Sequence, residues 1–86
     1  MAELLEYSST KIEYIGTIVD LNQIKSNARG TISPQTENNP RHGYWGFFEC
    51  KSFGIRAQQI VIDWYEPSIV HIRNLDNNVW SDWAML

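Results

Sequence analysis

The chain has a single cysteine, Cys50, among its 86 residues. One thiol cannot form an internal disulfide, and it excludes a metal site built from several cysteines. No apolar run approaches the ~18 residues that cross a bilayer, and the N-terminus lacks the charged and then apolar pattern of a signal peptide. We therefore expect a cytoplasmic protein with no membrane anchor.

Basic residues are also few. Lysine and arginine number 7 against 10 aspartates and glutamates, which gives a formal net charge of −3. Domains that bind duplex nucleic acid usually carry a basic face, whereas the basic residues here are scattered along the chain. The acidity is too mild for a mimic of the DNA backbone. Charge thus disfavours a duplex nucleic acid as the partner.

The residue types that carry out catalysis are sparse as well. His42 and His71 stand apart from each other, and no zinc or calcium ligand spacing is present. Cys50 lies in an apolar, strand-like run, where a cysteine usually serves as a small hydrophobic residue. No glycine-rich phosphate loop and no paired carboxylates occur. The sequence therefore predicts no enzyme activity, no metal and no cofactor.

Aromatic residues, in contrast, are abundant at 13%, with four tryptophans. Large rings bury much surface each, so they can compensate for the small core of a short chain. An exposed aromatic patch for binding is the alternative. Composition leaves both readings open.

Short alternating runs predict strands and no long helix. The expected strands cover residues 11–21, 28–33, 44–53, 59–65 and 68–73, and residues 79–86 form a sixth strand or a packed tail. Gly16 should mark a bend or a close backbone approach. Turns are expected at 22–27, at Glu66-Pro67 and at 75–78, and a mobile loop at 34–43.

This pattern predicts a mainly β fold in one domain, residues 1–86. We expect a small antiparallel barrel of five or six strands, of the oligonucleotide-binding (OB) type; an SH3-like barrel or a sandwich is the alternative. Residues 1–10 are then an N-terminal extension, 11–75 the barrel and 76–86 an aromatic tail.

The run Gly16-Thr17-Ile18-Val19-Asp20-Leu21-Asn22, then Lys25 and Gly30-Thr31-Ile32-Ser33-Pro34, resembles the opening hairpin of a cold-shock domain. Fainter similarity continues at residues 60–64 and 67–75. The resemblance implies an OB barrel that binds single-stranded DNA or RNA. The contacts would come from Lys25, Arg29, Trp45, Phe47 and Arg56.

Departures from the cold-shock pattern affect the base-stacking positions. Asp20, Arg29 and Thr31 stand where that family has aromatic rings, and Glu49 replaces its histidine. Each stacked base contributes about 1–3 kcal/mol, so losing several rings removes most of the affinity. The resemblance thus implies the fold, while the departures argue against the usual activity.

Two regions could instead bind a protein. In residues 42–48 glycines separate bulky rings, and alternation puts Trp45 and Phe47 on the face opposite Tyr44 and Phe48. Tryptophan, tyrosine and arginine dominate binding hot spots, which adds Arg41. The tail holds Trp80 and Trp83, which either close the barrel or dock on a partner, including a second copy. The predicted partner-binding residues are Arg41, Tyr44, Trp45, Phe47, Trp80 and Trp83.

Two functions follow. The first is a small non-catalytic module that binds a protein, such as an inhibitor or adaptor of the kind phages and mobile elements encode. The second is a single-strand nucleic-acid binder. A basic stripe joining Lys25, Arg29 and Arg56 to an exposed Trp45 would favour the second, whereas a neutral face with a contiguous apolar patch would favour the first.

Overall fold

The computed structural model describes residues 13–41 and 43–86. The expectations for residues 1–12 and for His42 lie outside these ranges. A 3₁₀ turn at Leu21–Gln23 is the one helical element within them, and no helix there is long and apolar enough to cross a membrane. The strands are β1 (Glu13–Asp20), β2 (Ala28–Glu37), β3 (Gly46–Phe53), β4 (Arg56–Asp63), β5 (Val70–Asp76), β6 (Val79–Trp80) and β7 (Ala84–Met85).

The strands form one sheet in the order β1-β2-β3-β4-β5-β6, with β7 also on β5. The sheet curls into a half-barrel, which confirms the predicted mainly β, small-barrel class. The concave, inner side holds the apolar core. Its buried members are Ile18, Leu21, Ile32, Phe48, Cys50, Ala57, Val61 and Leu75.

The first strand pair corrects the expectation of an all-antiparallel sheet, because β1 and β2 lie parallel. An antiparallel hairpin needs a tight turn, but residues 21–27 run back past β1 before β2 begins. Leu21 on this link is fully buried and Ile24 packs against the core. The link therefore belongs to the inner side, and its burial explains why the chain crosses back there.

Polar side chains of the inner side bind this link. The Nε2 of Gln59 donates to the carbonyls of Leu21 (2.7 Å) and Ile24 (2.9 Å). Arg73 donates to Oδ1 of Asn22 (2.8 Å) and to Oε1 of Gln59 (2.9 Å). Buried polar groups are tolerated when they are hydrogen-bonded. Gln59 satisfies two backbone carbonyls of the link, and Arg73 satisfies the side-chain oxygens of Asn22 and Gln59.

The second strand is longer than the sequence indicated. Residues 34–37 continue β2 beyond Pro34, where the sequence analysis ended the strand and began a loop. Pairing with β3 stops at Ile32, so β2 is a free edge on that side from Ser33 onward. A proline is tolerated where no ladder partner needs its missing N–H group. The Nδ2 of Asn39 then donates to the carbonyls of Ser33 and Tyr44, which ties the ends of the remaining loop together.

The later turns agree with the sequence. β4 and β5 pair antiparallel across the segment that contains Glu66-Pro67, and Asn77 and Asn78 form the turn to β6 with φ of 50° and 66°. Both angles lie in the left-handed region that asparagine tolerates and a type I′ hairpin requires. The ambiguous segment after β3 is a tight turn at Gly54 and Ile55, not a helical turn.

Gly16 lies at an irregularity of β1 and at a close backbone approach, the second of the two features expected there. It has a φ of 75°, and the β1–β2 register shifts between Tyr14 and Thr17. A Cβ added to Gly30 on the neighbouring strand would collide with the carbonyl oxygen of Gly16. The parallel pairing thus depends on two glycines, one for its backbone conformation and one for its lack of a side chain.

Candidate functional site

The outer, convex side of the sheet carries two rows of largely apolar residues. Residues that face each other across paired strands point to the same side of a sheet, so the register defines each row. One row crosses five strands through Phe47, and the adjacent row crosses them through Glu49. Together with Trp45 and Trp64 we call them the outer apolar face. The rows are Thr17, Thr31, Phe47, Ile62 and Val70, and Tyr14, Arg29, Glu49, Ile60 and Ile72.

Three exposed rings cluster at one end of this face. The centroid of the Trp64 ring lies 5.4 Å from that of Trp45 and 5.5 Å from that of Phe47, both at tilted or edge-on angles that aromatic pairs favour. The N–H of Trp64 donates to the carbonyl of Trp45, which extends the β3–β4 pairing and fixes the two residues side by side. The rings nevertheless remain 37–46% exposed.

Both sides of β4 carry apolar residues. Its inner side places Ala57 and Val61 in the core beside the buried Gln59 and Asp63, while its outer side carries Ile60 and Ile62. On β5, Ile72 likewise points outward beside these isoleucines. A solvent-facing side of an antiparallel sheet usually carries polar residues. The outer isoleucines are therefore apolar surface that suits contact with another molecule.

A groove of about 490 Å³ runs along this face. Tyr14 and Phe47 line its walls with Ile60 and Ile62, and its charged groups are Arg29 and Glu49. These two charges lie directly opposite each other on β2 and β3. The groove is thus apolar with one positive and one negative group, and has no net charge.

The outer apolar face ends abruptly at the next row. Lys51, Gln58 and Asn74 face each other across β3, β4 and β5. Nε2 of Gln58 donates to Oδ1 of Asn74, and Lys51 lies 3.7 Å from a carboxylate oxygen of Glu49. A polar row beside a larger apolar patch is the usual arrangement at the rim of an interface.

Arg41 and Tyr44 lie at the aromatic end, as the sequence predicted, but in a supporting role. Arg41 Nη1 is 3.0 Å from Oδ2 of the buried Asp63, and its guanidinium lies 4.1 Å from the centre of the Tyr44 ring. Oδ1 of Asp63 also accepts from the N–H groups of Tyr65 and Glu66. This network holds the loop after β2 against the turn after β4, so it positions the rings beside it.

The tail tryptophans are separate from this face. Trp80 and Trp83 pack against the core, with their rings 4.1 Å and 4.6 Å from the guanidinium carbon of Arg73. The Nε1 of Trp83 also donates to the carbonyl of Asn38 (3.0 Å). Of the two alternatives raised for the tail, the structure shows the one in which it packs on the barrel. Trp80 and Trp83 therefore lie apart from the outer apolar face, and their role in partner binding stays a prediction.

The residues predicted to contact nucleic acid do not form a stripe. Arg29 and Phe47 share the groove, with Trp45 nearby, but Glu49 lies beside Arg29. Arg56 is at the opposite end of β3–β4 from Trp45 and pairs with Asp76 (3.6 Å). Lys25 is on the link before β2. The basic groups are dispersed in space as well as in sequence.

Cys50 and His71 do not form a catalytic pair. They lie on β3 and β5 with β4 between them and are offset by two residues along the strands, so their backbones are about 12 Å apart. Burial raises the pKa of the Cys50 thiol to about 11, partly offset by the charge of Arg73, so the thiol is protonated at neutral pH. Within residues 13–41 and 43–86, no three histidine, cysteine or carboxylate side chains cluster as metal ligands.

Sequence reasoning missed Trp64 and Tyr14 as parts of the face. The signal for Trp64 was present, because its alternation with Ile60 and Ile62 assigns the three to one side of β4. Tyr14 joins the face only through the parallel pairing of β1 with β2, which places it opposite Arg29. That pairing was not predicted.

No protein-family model matches the chain, and neither curated proteins nor solved structures contain a significant match.

Proposed function

We propose that this chain is a small, non-catalytic protein-binding module, with the outer apolar face as its binding surface. The observation that carries the proposal is the cluster of exposed rings, Trp45, Phe47 and Trp64, beside the outward-pointing isoleucines of β4 and β5. Covering apolar surface contributes about 25 cal/mol per Å², which favours a partner on this side. An inhibitor or adaptor, as phages and mobile elements encode, is the form of module that suits so short a chain.

Within the outer apolar face, the expected anchors are Trp45, Phe47 and Trp64. Aromatic residues at the centre of an apolar patch with a polar rim are the usual hot spots of protein interfaces. Arg41 and Tyr44 hold the adjacent loop in place and contribute at the edge. The neutral groove suits a protein surface, since a partner need not neutralise an excess of either charge.

The test is a photo-crosslinking amino acid introduced at position 47, in the full chain, with a lysate of the source organism. Position 53 provides the matched control, because Phe53 is the same residue type on the same strand and the same side of the sheet, at its far end. We expect protein adducts from position 47 and few from position 53. Equal yields from both positions, or none from either, would contradict the proposal.

Single-stranded nucleic acid is the alternative function, and one observation favours it: Arg29 lies in the same groove as the exposed Phe47. A base could stack on the ring while the guanidinium contacts a phosphate. The adjacent Glu49 opposes such a contact by repelling phosphate.

Tryptophan fluorescence separates the two functions. We expect no saturable quenching when single-stranded DNA or RNA is added at low or physiological salt. Saturable quenching that weakens steeply with salt would instead indicate bases on rings beside phosphate contacts. Loss of that quenching in Arg29→Glu would then place nucleic acid on the outer apolar face.

A further inference from the structure

We propose that the outer apolar face binds a second copy of this chain, so that two sheets pack face to face around a twofold axis. This inference rests on the proposed function, because it names the partner of the same surface. Three properties of the face support it: its shape as a sheet, its exposed area and its pattern of charges.

The face is a broad side of a sheet, and a second sheet is a natural cover for it. Two sheets packed face to face lie ~10 Å apart, and the side chains of both interdigitate. Here two rows, each crossing five strands, provide the alternating ridges for such packing. The groove between Tyr14 and the side chains of β4 can accept a ring from the partner.

The exposed rings supply a large part of the area that a stable dimer needs. Tyr14, Trp45, Phe47 and Trp64 are 37–63% exposed. A large ring presents ~200 Å², so these four alone offer about 400 Å² per copy. A stable interface buries ~800 Å² per partner. The rings therefore supply about half of the requirement, and the half-buried isoleucines and the two charged residues lie around them.

The charges are complementary to those of a copy of the same face. Arg29 and Glu49 lie directly opposite each other on β2 and β3. A twofold axis that passes between them brings each Arg29 to the Glu49 of the other copy, and it makes that contact twice. Among the described residues, Arg29 has no ion-pair partner within its own chain, so its guanidinium is available to the second copy. The formal net charge of −3 is repulsive between copies, but the face itself is neutral.

Two single charge reversals test this geometry. Arg29→Glu gives a face with two acidic groups, and Glu49→Arg gives a face with two basic groups. Each variant places like charges together in its own dimer, and we expect its self-association to weaken at least about tenfold. Mixed in equal amounts, the two variants should pair with each other, because both twofold-related contacts are then between opposite charges. Self-association through a different surface would not show this recovery.

The measurement is sedimentation velocity of the full chain, of each variant and of their mixture, over a wide range of concentration. Near-ultraviolet circular dichroism checks that both variants keep the fold, which we expect because Arg29 is exposed and the side chain of Glu49 is 40% exposed. Arg56→Glu makes the same change of residue type on the same side of the sheet but at its far end, so it is the matched control and should leave self-association within about twofold of the unaltered chain.

Several outcomes would overturn the proposal. A chain that stays monomeric at every concentration would do so, as would variants that dimerise normally or a mixture that does not recover. If the chain is monomeric but the crosslinker at position 47 still captures a foreign protein, the proposed function stands and that protein covers the face. If position 47 captures nothing and the chain is monomeric, both proposals fail.

Discussion

Two aromatic clusters in this molecule are made from the same residue types but lie in opposite environments. The inner cluster consists of Trp80 and Trp83 stacked on Arg73, and it packs against the core. The outer cluster consists of Trp45, Phe47 and Trp64, which pack on one another but remain substantially exposed. The fold needs the inner cluster to close the half-barrel, whereas it gains little from the outer one. Rings that the fold does not need are the best candidates for binding.

Arg73→Ala should give the largest effect on stability. The change removes the stacking surface of both tail tryptophans and leaves Oε1 of Gln59 and Oδ1 of Asn22 without their donor. We expect the free energy of unfolding to fall by about 3–5 kcal/mol, measured by urea denaturation. Arg56→Ala is the control, because this exposed arginine forms only a surface pair with Asp76. Equal losses for the two variants would show that Arg73 does not hold the inner cluster together.

Trp83→Ala should come next. This ring contacts Arg73 and the core, and its Nε1 holds the tail to the carbonyl of Asn38. We expect a loss of about 2–3 kcal/mol in urea denaturation, since the side chain is large and mostly buried. Trp83→Phe should recover part of the loss by restoring the ring without the hydrogen bond. If Trp83→Ala left the free energy of unfolding unchanged, the Trp83 ring would stabilise the fold no more than the outer cluster does, which would contradict this prediction.

Cys50, buried on the inner side, predicts a pH dependence. Burial raises the pKa of its thiol from 9.0 to about 11, so between these values the unfolded chain loses the proton that the native chain keeps. Stability is fully present below pH 9 and falls as pH rises, by about 2 kcal/mol near pH 10.5. The measurement compares urea midpoints at several pH values with those of Cys50→Ala. The two pH profiles should diverge above pH 9, and parallel profiles would contradict this prediction.

Trp64→Ala should have the smallest effect on stability. The ring is 44% exposed and contacts mainly Trp45 and Phe47, so we expect a loss of less than about 1 kcal/mol. In contrast, the yield of protein adducts from the crosslinker at position 47 should fall severalfold. If Trp64→Ala lost much stability while the yield of adducts stayed unchanged, the outer cluster would stabilise the fold and not bind a partner.

Much of the strand pattern could be predicted from local sequence. The β4–β5 hairpin, the turn at Asn77-Asn78 and the irregularity at Gly16 all follow from alternation and from residues that favour positive φ. The parallel pairing of β1 and β2 could not, because it depends on the burial of Leu21 and on Gln59 reaching its carbonyl from 38 residues away. Such long-range hydrogen bonds leave no local pattern.

The site was predicted only in part for the same reason. Trp45 and Phe47 were placed on one side of β3 by alternation, and the structure keeps them together with Trp64. Which side of β4 faces inward could not be predicted from polarity, since each side carries both apolar and polar residues. Only the contacts of Gln59, Asp63 and Arg73 with distant residues explain this orientation.

The order of strands in the sheet has a consequence for how the chain reaches its native state. Through β6 each strand pairs with its neighbour in sequence, so most contacts close short loops. Folding rates rise as contacts become more local, and we expect this chain to fold faster than a Greek-key barrel of equal length. The bond from Arg73 to Asn22 closes a loop of 51 residues, longer than the loops of 38 and 45 residues closed by the side-chain bonds of Gln59 and Trp83. We expect it to form after the rate-limiting step, so that Asn22→Ala speeds unfolding and leaves the folding rate nearly unchanged.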